Sequence, residues 1–260
     1  MNQLRKLGKR IRDDEYLPEQ SPNYEEVMEW YDDIAAFVVG FLWQCDWSPL
    51  LDSRNPQIVS RVKTIDTLRE KLRRESSFPL PQIQDIAGIR FEAEMTLEEQ
   101  DAVVAAITGH FEDMGWRPRT TDYRTTGGHS GYRAVHVLLH LEPLGRVEVQ
   151  VRTHLQGKWA NMYEYLADKV GREIRYDVLP DDPMLQQLVK RTQQASLVLV
   201  SELETLRMRA ERLRRVEESP EQIEEIDSVL GEMRETEASL LNYFQTTEEN
   251  LRQIDWEAIH

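Results

Sequence analysis

An α+β fold with a mixed sheet is what this 260-residue sequence predicts, and three observations lead there. In RVEVQVRT, Val147, Val149 and Val151 alternate with Glu148, Gln150 and Arg152, the period of a half-buried strand. EEQDAVVAAITGHFEDMGW has the apolar spacing of a crossover helix and ends near Gly115. From Pro183 onward, apolar residues recur at mostly three- and four-residue steps, which marks a long helical hairpin.

Residues 1–54 read as an N-terminal helical segment. NYEEVMEWYDDIAAFVVGFLW opens at Ser21, Pro22 and Asn23 and shows Val27, Trp30, Tyr31 and Ile34 at helical spacing, a stripe expected to pack on the sheet. Residues 55–180 alternate helix and strand. In RVKTIDTLREKLRR, a helix from Ile65 to Arg74 sets Lys71 and Arg74 on neighbouring turns of one side, with Ile65, Leu68 and Leu72 as the apolar stripe. Taken alone, such a run is equally a solvated basic face. IQDIAGIRFEAEM follows as a strand with Asp85 at its start and Arg90 inside it.

Glu142, Pro143, Leu144 and Gly145 are turn residues between two apolar runs, so GYRAVHVLLHLE and GRVEVQVRT form an antiparallel hairpin. On that reading Tyr132 and His136, four apart, share a strand face. A carboxylate, an amide, a guanidinium, an imidazole and a phenol then cover one small surface. Residues 181–260 supply the helical hairpin. Its first arm carries Leu188, Ala195, Leu199, Leu203, Leu206, Ala210 and Leu213; its second carries Ile223, Ile226, Leu230, Met233, Leu240, Phe244 and Leu251. Ser219, Pro220 and Gln222 make a capping-box start for the second arm. Such a pair does not bury its stripe alone, so it folds onto the α+β domain or meets another copy; a homo-oligomer through these C-terminal helices is expected.

Composition narrows the classes. With 40% hydrophobic and 30% charged residues the chain is an ordered globular protein. Its 32 Lys and Arg against 47 Asp and Glu give a net charge of −15, unfavourable for long-range attraction of a polyanion. Residues 181–260 hold 18 acids and 9 bases, so 9 of the 15 excess negative charges lie outside the α+β domain. A basic cluster of Arg5, Lys6, Lys9, Arg10 and Arg12 stands at the N-terminus. The single cysteine, Cys45, excludes an internal disulfide and every multi-cysteine metal site, which suits a reducing cytosol, and it reads as buried filler. The longest apolar stretch, Ile34 to Trp43, is half of the roughly 20 residues that span a bilayer. Asp13, Asp14 and Glu15 follow the basic start where an export signal would be apolar, so a cytoplasmic protein without membrane contact is expected.

Roughly from Asn55 to Asp177, the chain resembles the synthetase domain of the RelA/SpoT family, the enzymes that make the alarmone (p)ppGpp. The family's basic ATP signature resembles Arg61, Lys63, Thr67, Lys71 and Arg74; its DxxGxR strand is Asp85, Gly88 and Arg90. Its GYRSLH loop appears as Gly131, Tyr132, Arg133, Ala134, Val135 and His136, and its ExQxRT strand as Glu148, Gln150, Arg152 and Thr153. LQGKWANMYEYLADKVGREIRYD, in which Trp159, Ala160, Glu164 and Leu166 fit, looks like the branch of small, single-domain members that includes toxic ones.

The resemblance implies a nucleotidyltransferase-like core and transfer of the β,γ-pyrophosphate of ATP to a ribose 3′-hydroxyl. Asp85 and Glu148 would be catalytic and hold Mg²⁺, with Glu148 also able to accept the hydroxyl proton. Arg61, Lys63, Thr67, Lys71, Arg74 and Arg90 would bind ATP; Tyr132, His136, Gln150 and Arg152 would bind the acceptor, a guanosine nucleotide. One departure stands out. Where the family carries PKxNGYR, this chain has TTGGHSGYR, with Gly128 near the Lys position and Ser130 for the Asn; Arg124 or His129 is then the candidate substitute cation. Three readings follow: a guanosine alarmone synthetase, a toxic-type enzyme acting on the tRNA CCA end or an adenosine nucleotide, and an inactive nucleotide-binding or interaction protein. Net charge disfavours the tRNA. Alarmone hydrolysis is not expected, since the sequence has no His-Asp dipeptide.

Overall fold

In this computed structural model the described residues are 2–15, 18–125, 129–214 and 220–253. Two units are distinguished: Met1–Ala93 with Ala102–Thr121 and Val135–Val151, and Glu94–Asp101 with Asp122–Ala134 and Arg152–His260.

The first unit is built on a mixed sheet of β1 (Gln57–Val62), β2 (Ala87–Ala93), β3 (Arg119–Asp122), β4 (Val135–Leu141) and β5 (Gly145–Thr153), in the order β1-β2-β5-β4-β3. β1 and β2 are antiparallel with Arg61 opposite Gly88, and β4 and β5 are antiparallel with His136 opposite Gln150 and Leu138 opposite Glu148. The expected hairpin is therefore present. Along β2, β4 and β5 buried and half-buried residues alternate, so one face is apolar and the other polar.

Helix α1 spans Asn2–Arg12, α2 Tyr24–Gln44, the single turn α3 Ser48–Leu51, α4 Ile65–Arg74 and α5 Leu97–Asp113. Helix α2 packs on β1 and β2, and α1 packs on α4. The start of α2 is a reciprocal cap: Glu26 N–H donates to Asn23 Oδ1 (2.8 Å) and Asn23 N–H to Glu26 Oε2 (3.0 Å). Val27, Tyr31, Ile34, Val38 and Leu42 bury one side of α2. Trp47 meets Phe91 of β2 edge-on at 4.9 Å, and Phe41 meets Phe111 of α5 at 5.4 Å. Two bonds tie α2 to the functional strands: Trp30 Nε1–H donates to Leu144 O in the β4–β5 turn (2.8 Å), and Tyr24 Oη–H to Lys63 O (2.7 Å). Cys45, expected as buried filler, is half-buried at the α2 C-cap.

The second unit centres on α6 (His154–Val170), α7 (Pro183–Gln194), α8 (Ser201–Arg214) and α9 (Pro220–Gln253). Thr153 and Gln156 form the capping box of α6. One core joins Leu155, Trp159, Tyr163 and Leu166 to Val189, Val200, Leu203, Leu240, Phe244 and Leu251. Trp159 stacks on Tyr163 at 4.7 Å and donates Nε1–H to Thr192 O (2.7 Å). A second cluster of Leu206, Ala210 and Val229 closes α8 on α9, giving the C-terminal helical hairpin. Between α7 and α8 the chain winds as a π-helix over Ala195–Val200, where the sequence reads as unbroken α-helix. Ile223, placed on the apolar stripe of α9, is 47% exposed, and Val229, six residues further along the helix, is buried instead. The Ser219 cap lies outside the described residues, and α9 is described over Pro220–Gln253.

Gly8 of α1 sits against Leu80 so closely that a Cβ would lie 2.6 Å from Leu80 Cβ. A helical Gly→Ala change normally stabilises by about 0.5–1 kcal/mol. Gly8→Ala is expected to do the opposite, lowering stability by about 1–3 kcal/mol in urea unfolding, because neither backbone has room to retreat.

Candidate active site

Several of the predicted residues lie on or beside the polar face of the sheet. Glu148 on β5 is 15% exposed and has both oxygens engaged: Oε1 lies 3.0 Å from His136 Nδ1 on β4, and Oε2 accepts from Gln150 Nε2 (2.8 Å). Antiparallel pairing produces this contact, since His136 faces Gln150 across the ladder and stands diagonal to Glu148. Burial resists ionisation of Glu148, but His136 and Gln150 outweigh it and hold the carboxyl below its ordinary range, while the nearby Asp85 charge pushes the other way. The residue is an oriented carboxylate.

Its electrostatic neighbours come from the β1–α4 junction. Lys63 N–H bonds Ile86 O (3.0 Å), and Thr64 caps α4 one residue later, which sends α4 back beside the entry to β2. Lys71 then reaches Asp85 Oδ1 at 2.8 Å and Lys63 reaches Oδ2 at 3.1 Å, all three side chains being about four-fifths buried. Burial opposes the charge on Asp85, yet the two lysines prevail and hold its carboxyl below the ordinary value. Desolvation likewise opposes the Lys71 ammonium, and Asp85 outweighs it, raising the Lys71 pKa; the Glu148 charge adds to that rise. Asp85 and Glu148 thus belong to one electrostatic cluster.

The remaining ATP-site candidates lie around this cluster to different degrees. Arg61 stands opposite Gly88 and Arg90 opposite Val59, which makes the two arginines diagonal neighbours on adjacent strands. Arg74 is 43% exposed and pairs with Glu75 at 3.5 Å. Thr67 has a local structural duty: its hydroxyl donates to Thr64 O (2.9 Å) and its N–H to Thr64 Oγ1 (3.4 Å), completing the α4 cap. Among the described residues no three His, Cys, Asp or Glu side chains converge as a metal cage. Asp85 with Glu148 suits a cation such as Mg²⁺, which takes one or two carboxylates and completes its shell with water and phosphate oxygens.

Tyr132 and Arg152 are described in the second unit. Arg152 NH2 donates to Tyr132 Oη (2.8 Å), with its guanidinium carbon 5.1 Å from the Tyr132 ring centre, and Tyr123 meets the same ring edge-on at 5.9 Å. Tyr132 precedes β4, which starts only at Val135, so the strand face it was expected to share with His136 does not exist. The cause is the turn at Ser130 (φ 64°) and Gly131 (φ +83°), where a Cβ on Gly131 would lie 2.9 Å from Gln193 O. Ser130 turns inward: its hydroxyl lies 2.5 Å from Ile174 O and 3.0 Å from Asp177 Oδ1. Arg124 donates to Asp122 (2.7 Å), Asp101 (2.6 Å) and Gln100 (3.1 Å). Gly128 and the His129 side chain lie outside what is described.

The model of the region found in RelA / SpoT proteins matches residues 60–169. An uncharacterized protein of Mycobacterium tuberculosis (strain ATCC 25618 / H37Rv) is 44% identical over 202 residues, covering 75% of this chain and 71% of the relative; an uncharacterized protein of Mycobacterium bovis matches equally. Among solved structures, small alarmone synthetase 1 from Bacillus subtilis aligns with a TM-score of 0.56 at 22% identity, over 73% of this chain and 98% of the other. A GTP pyrophosphokinase family protein from Streptococcus pneumoniae gives 0.56 at 23% identity, over 71% and 92%. At these identities the likeness is one of fold.

Because the Asp85 pKa is lower folded than unfolded, its contribution to stability is complete above the ordinary carboxyl value near about 4 and is lost as pH falls through the depressed one. Lys71→Met is expected to reduce stability at neutral pH by about 1–3 kcal/mol and to shrink the loss of stability on acidification, since Asp85 then titrates closer to its unfolded value. Urea unfolding of both proteins between neutral and acidic pH reads the difference.

Proposed function

Residues 60–169 of the chain are a RelA/SpoT domain, and from that premise we propose that the protein is an ATP pyrophosphokinase that transfers the β,γ-pyrophosphate of ATP to a nucleotide 3′-hydroxyl, with GDP or GTP as acceptor. The observation that carries this reading is the oriented Glu148 carboxylate, electrostatically coupled to Asp85 under the Lys63 and Lys71 ammonium groups.

In the proposed reaction Glu148 takes the 3′-hydroxyl proton, the ribose oxygen bonds to the β-phosphorus, and the bond from that phosphorus to the α,β-bridging oxygen breaks. AMP departs with the electron pair. Glu148 is suited to this as a carboxylate that stays ionised at neutral pH and whose two oxygens are held by His136 and Gln150. Arg61, Lys63, Thr67, Lys71, Arg74 and Arg90 are assigned to ATP. Cations beside a triphosphate stabilise charge that grows on its oxygens during transfer, and Arg suits phosphate forks better than Lys. Asp85 and Glu148 would hold Mg²⁺, which when bound neutralises phosphate charge. Tyr132 is assigned to the acceptor base, with Arg152 fixing its hydroxyl and His136 and Gln150 near the reacting ribose.

Support for a guanosine acceptor comes from the same fold: small alarmone synthetase 1 from Bacillus subtilis was solved bound to its product pppGpp, aligning with a TM-score of 0.53. One observation favours a second reading, a non-catalytic nucleotide-binding protein: the Ser130 hydroxyl faces Ile174 and Asp177. A homo-oligomer through the C-terminal hairpin and a cytoplasmic location complete the proposal. Among the described residues no helix is long and apolar enough to cross a membrane.

The test is label transfer from γ-labelled ATP to GDP, GTP, ADP, ATP or deacylated tRNA in separate reactions. Label in GDP or GTP is expected; label in tRNA or an adenosine nucleotide instead would reassign the acceptor. Glu148→Gln is expected to lower kcat by roughly 10²–10⁴ with ATP binding little changed. Equal rates for variant and parent would sink the assignment of the base.

A further inference from the structure

The tripeptide Gly131-Tyr132-Arg133 is held from one side by the C-terminal helices. A Cβ on Gly131 would meet Gln193 O of α7, Ser196 Oγ–H in the π-helical stretch donates to Gly131 O at 2.6 Å, and Arg133 NH2 donates to Glu204 Oε2 of α8 at 2.6 Å. Glu204 is the centre of this arrangement. It is 2% exposed, and its other oxygen accepts from Gln156 Nε2 (2.6 Å) and Thr153 Oγ1 (3.2 Å).

Those partners have a consequence in sequence. Arg133 is the neighbour of Tyr132, and Thr153 is the neighbour of Arg152. One buried carboxylate therefore binds the residues next to each half of the Tyr132–Arg152 pair, and the network continues through Gln156 and Gln100 to Arg124, whose carbonyl accepts from Arg133 NH1 at 3.1 Å. Apolar residues of similar volume often serve stability as well as a buried ion pair does, so such a pair is weak evidence of a purely stabilising role. What a carboxylate adds here is direction: two separate chain segments are referred to one fixed point.

We propose that Glu204 of α8 is a positioning residue for acceptor recognition, holding the Tyr132–Arg152 pair in register through Arg133 and Thr153. The inference rests on the acceptor role assigned above to that pair, and it makes the C-terminal helices part of the acceptor site's construction. Ser196 serves the same end from the π-helix, whose widened turn places that hydroxyl on the Gly131 carbonyl.

Glu204→Gln keeps shape and removes the charge that Arg133 meets. Two readouts on the full chain test it. Amide hydrogen exchange in residues 129–134 is expected to accelerate on the order of tenfold while residues 135–151 stay unchanged, because a local anchor is loosened without global opening. The acceptor KM is expected to rise on the order of tenfold with the ATP KM held within about twofold, the split a general loss of folding would not give. Exchange that is unchanged, or faster everywhere alike, overturns the proposal; so does an equal rise in both KM values. If the parent labels no acceptor, the activity reading fails while the exchange result still decides the anchoring. Should Glu204→Gln not fold, Arg133→Lys keeps the opposite charge and gives up the fork; local exchange identical to the parent's then overturns the proposal, and acceleration confined to 129–134 supports it.

Discussion

Two lysines grip Asp85, and that grip sets the electrostatic character of everything around it. Desolvation would favour a neutral Asp85 carboxyl and a neutral Lys71 amine; the ion pairs at 2.8 and 3.1 Å reverse both tendencies and keep the two groups charged. Glu148 enters the same field, ionised through His136 and Gln150 despite its burial. A cluster with permanent anions and permanent cations in close reach is suited to binding a metal–triphosphate, because such a ligand itself presents both signs. The sheet explains how these groups reach one place: β1 delivers Lys63, the capped α4 returns Lys71, and the β2 entry and β5 contribute the carboxylates.

An acidic chain proposed to bind a triphosphate looks contradictory until the charge is resolved by position. Its net charge is −15, and residues 181–260 account for 9 of those excess negatives. Over distances longer than the roughly 8 Å screening length of physiological salt, that surplus is damped. Within the cluster, ordered cations at contact distance govern. A mobile nucleotide that only has to reach the pocket tolerates the overall sign far better than an extended nucleic acid that tracks the surface.

Much of this was legible in the residues. Strict alternation in GRVEVQVRT gave the β5 strand and its polar face, and a turn cluster gave the hairpin, because both signals are local. Likewise Thr64 and the stripe of Leu68 and Leu72 define α4 within ten residues. What escaped depends on distant partners. The turn at Glu142 to Gly145 makes GYRAVHVLLHLE one strand of a hairpin on local signals, yet Ser130 and Gly131 adopt positive φ under contacts from residues 174–196. Ile223 lies outside the packing stripe and Val229 inside it, since where α9 meets α8 is set by their mutual register and not by spacing alone. Glu204 gave no signal: in a helix holding Glu202, Glu204 and Glu211, nothing local separates the buried acid from the solvated ones.

The chemistry proposed for this cluster is attack at the middle phosphorus of ATP and not at the terminal one. Mass spectrometry of the nucleotides formed from unlabelled ATP and GDP, followed over time, tests it most directly. AMP is expected in equal amount with a GDP product heavier by one diphosphate on the ribose. ADP or inorganic phosphate as the ATP-derived product, with GDP gaining a single phosphate or nothing, would contradict it.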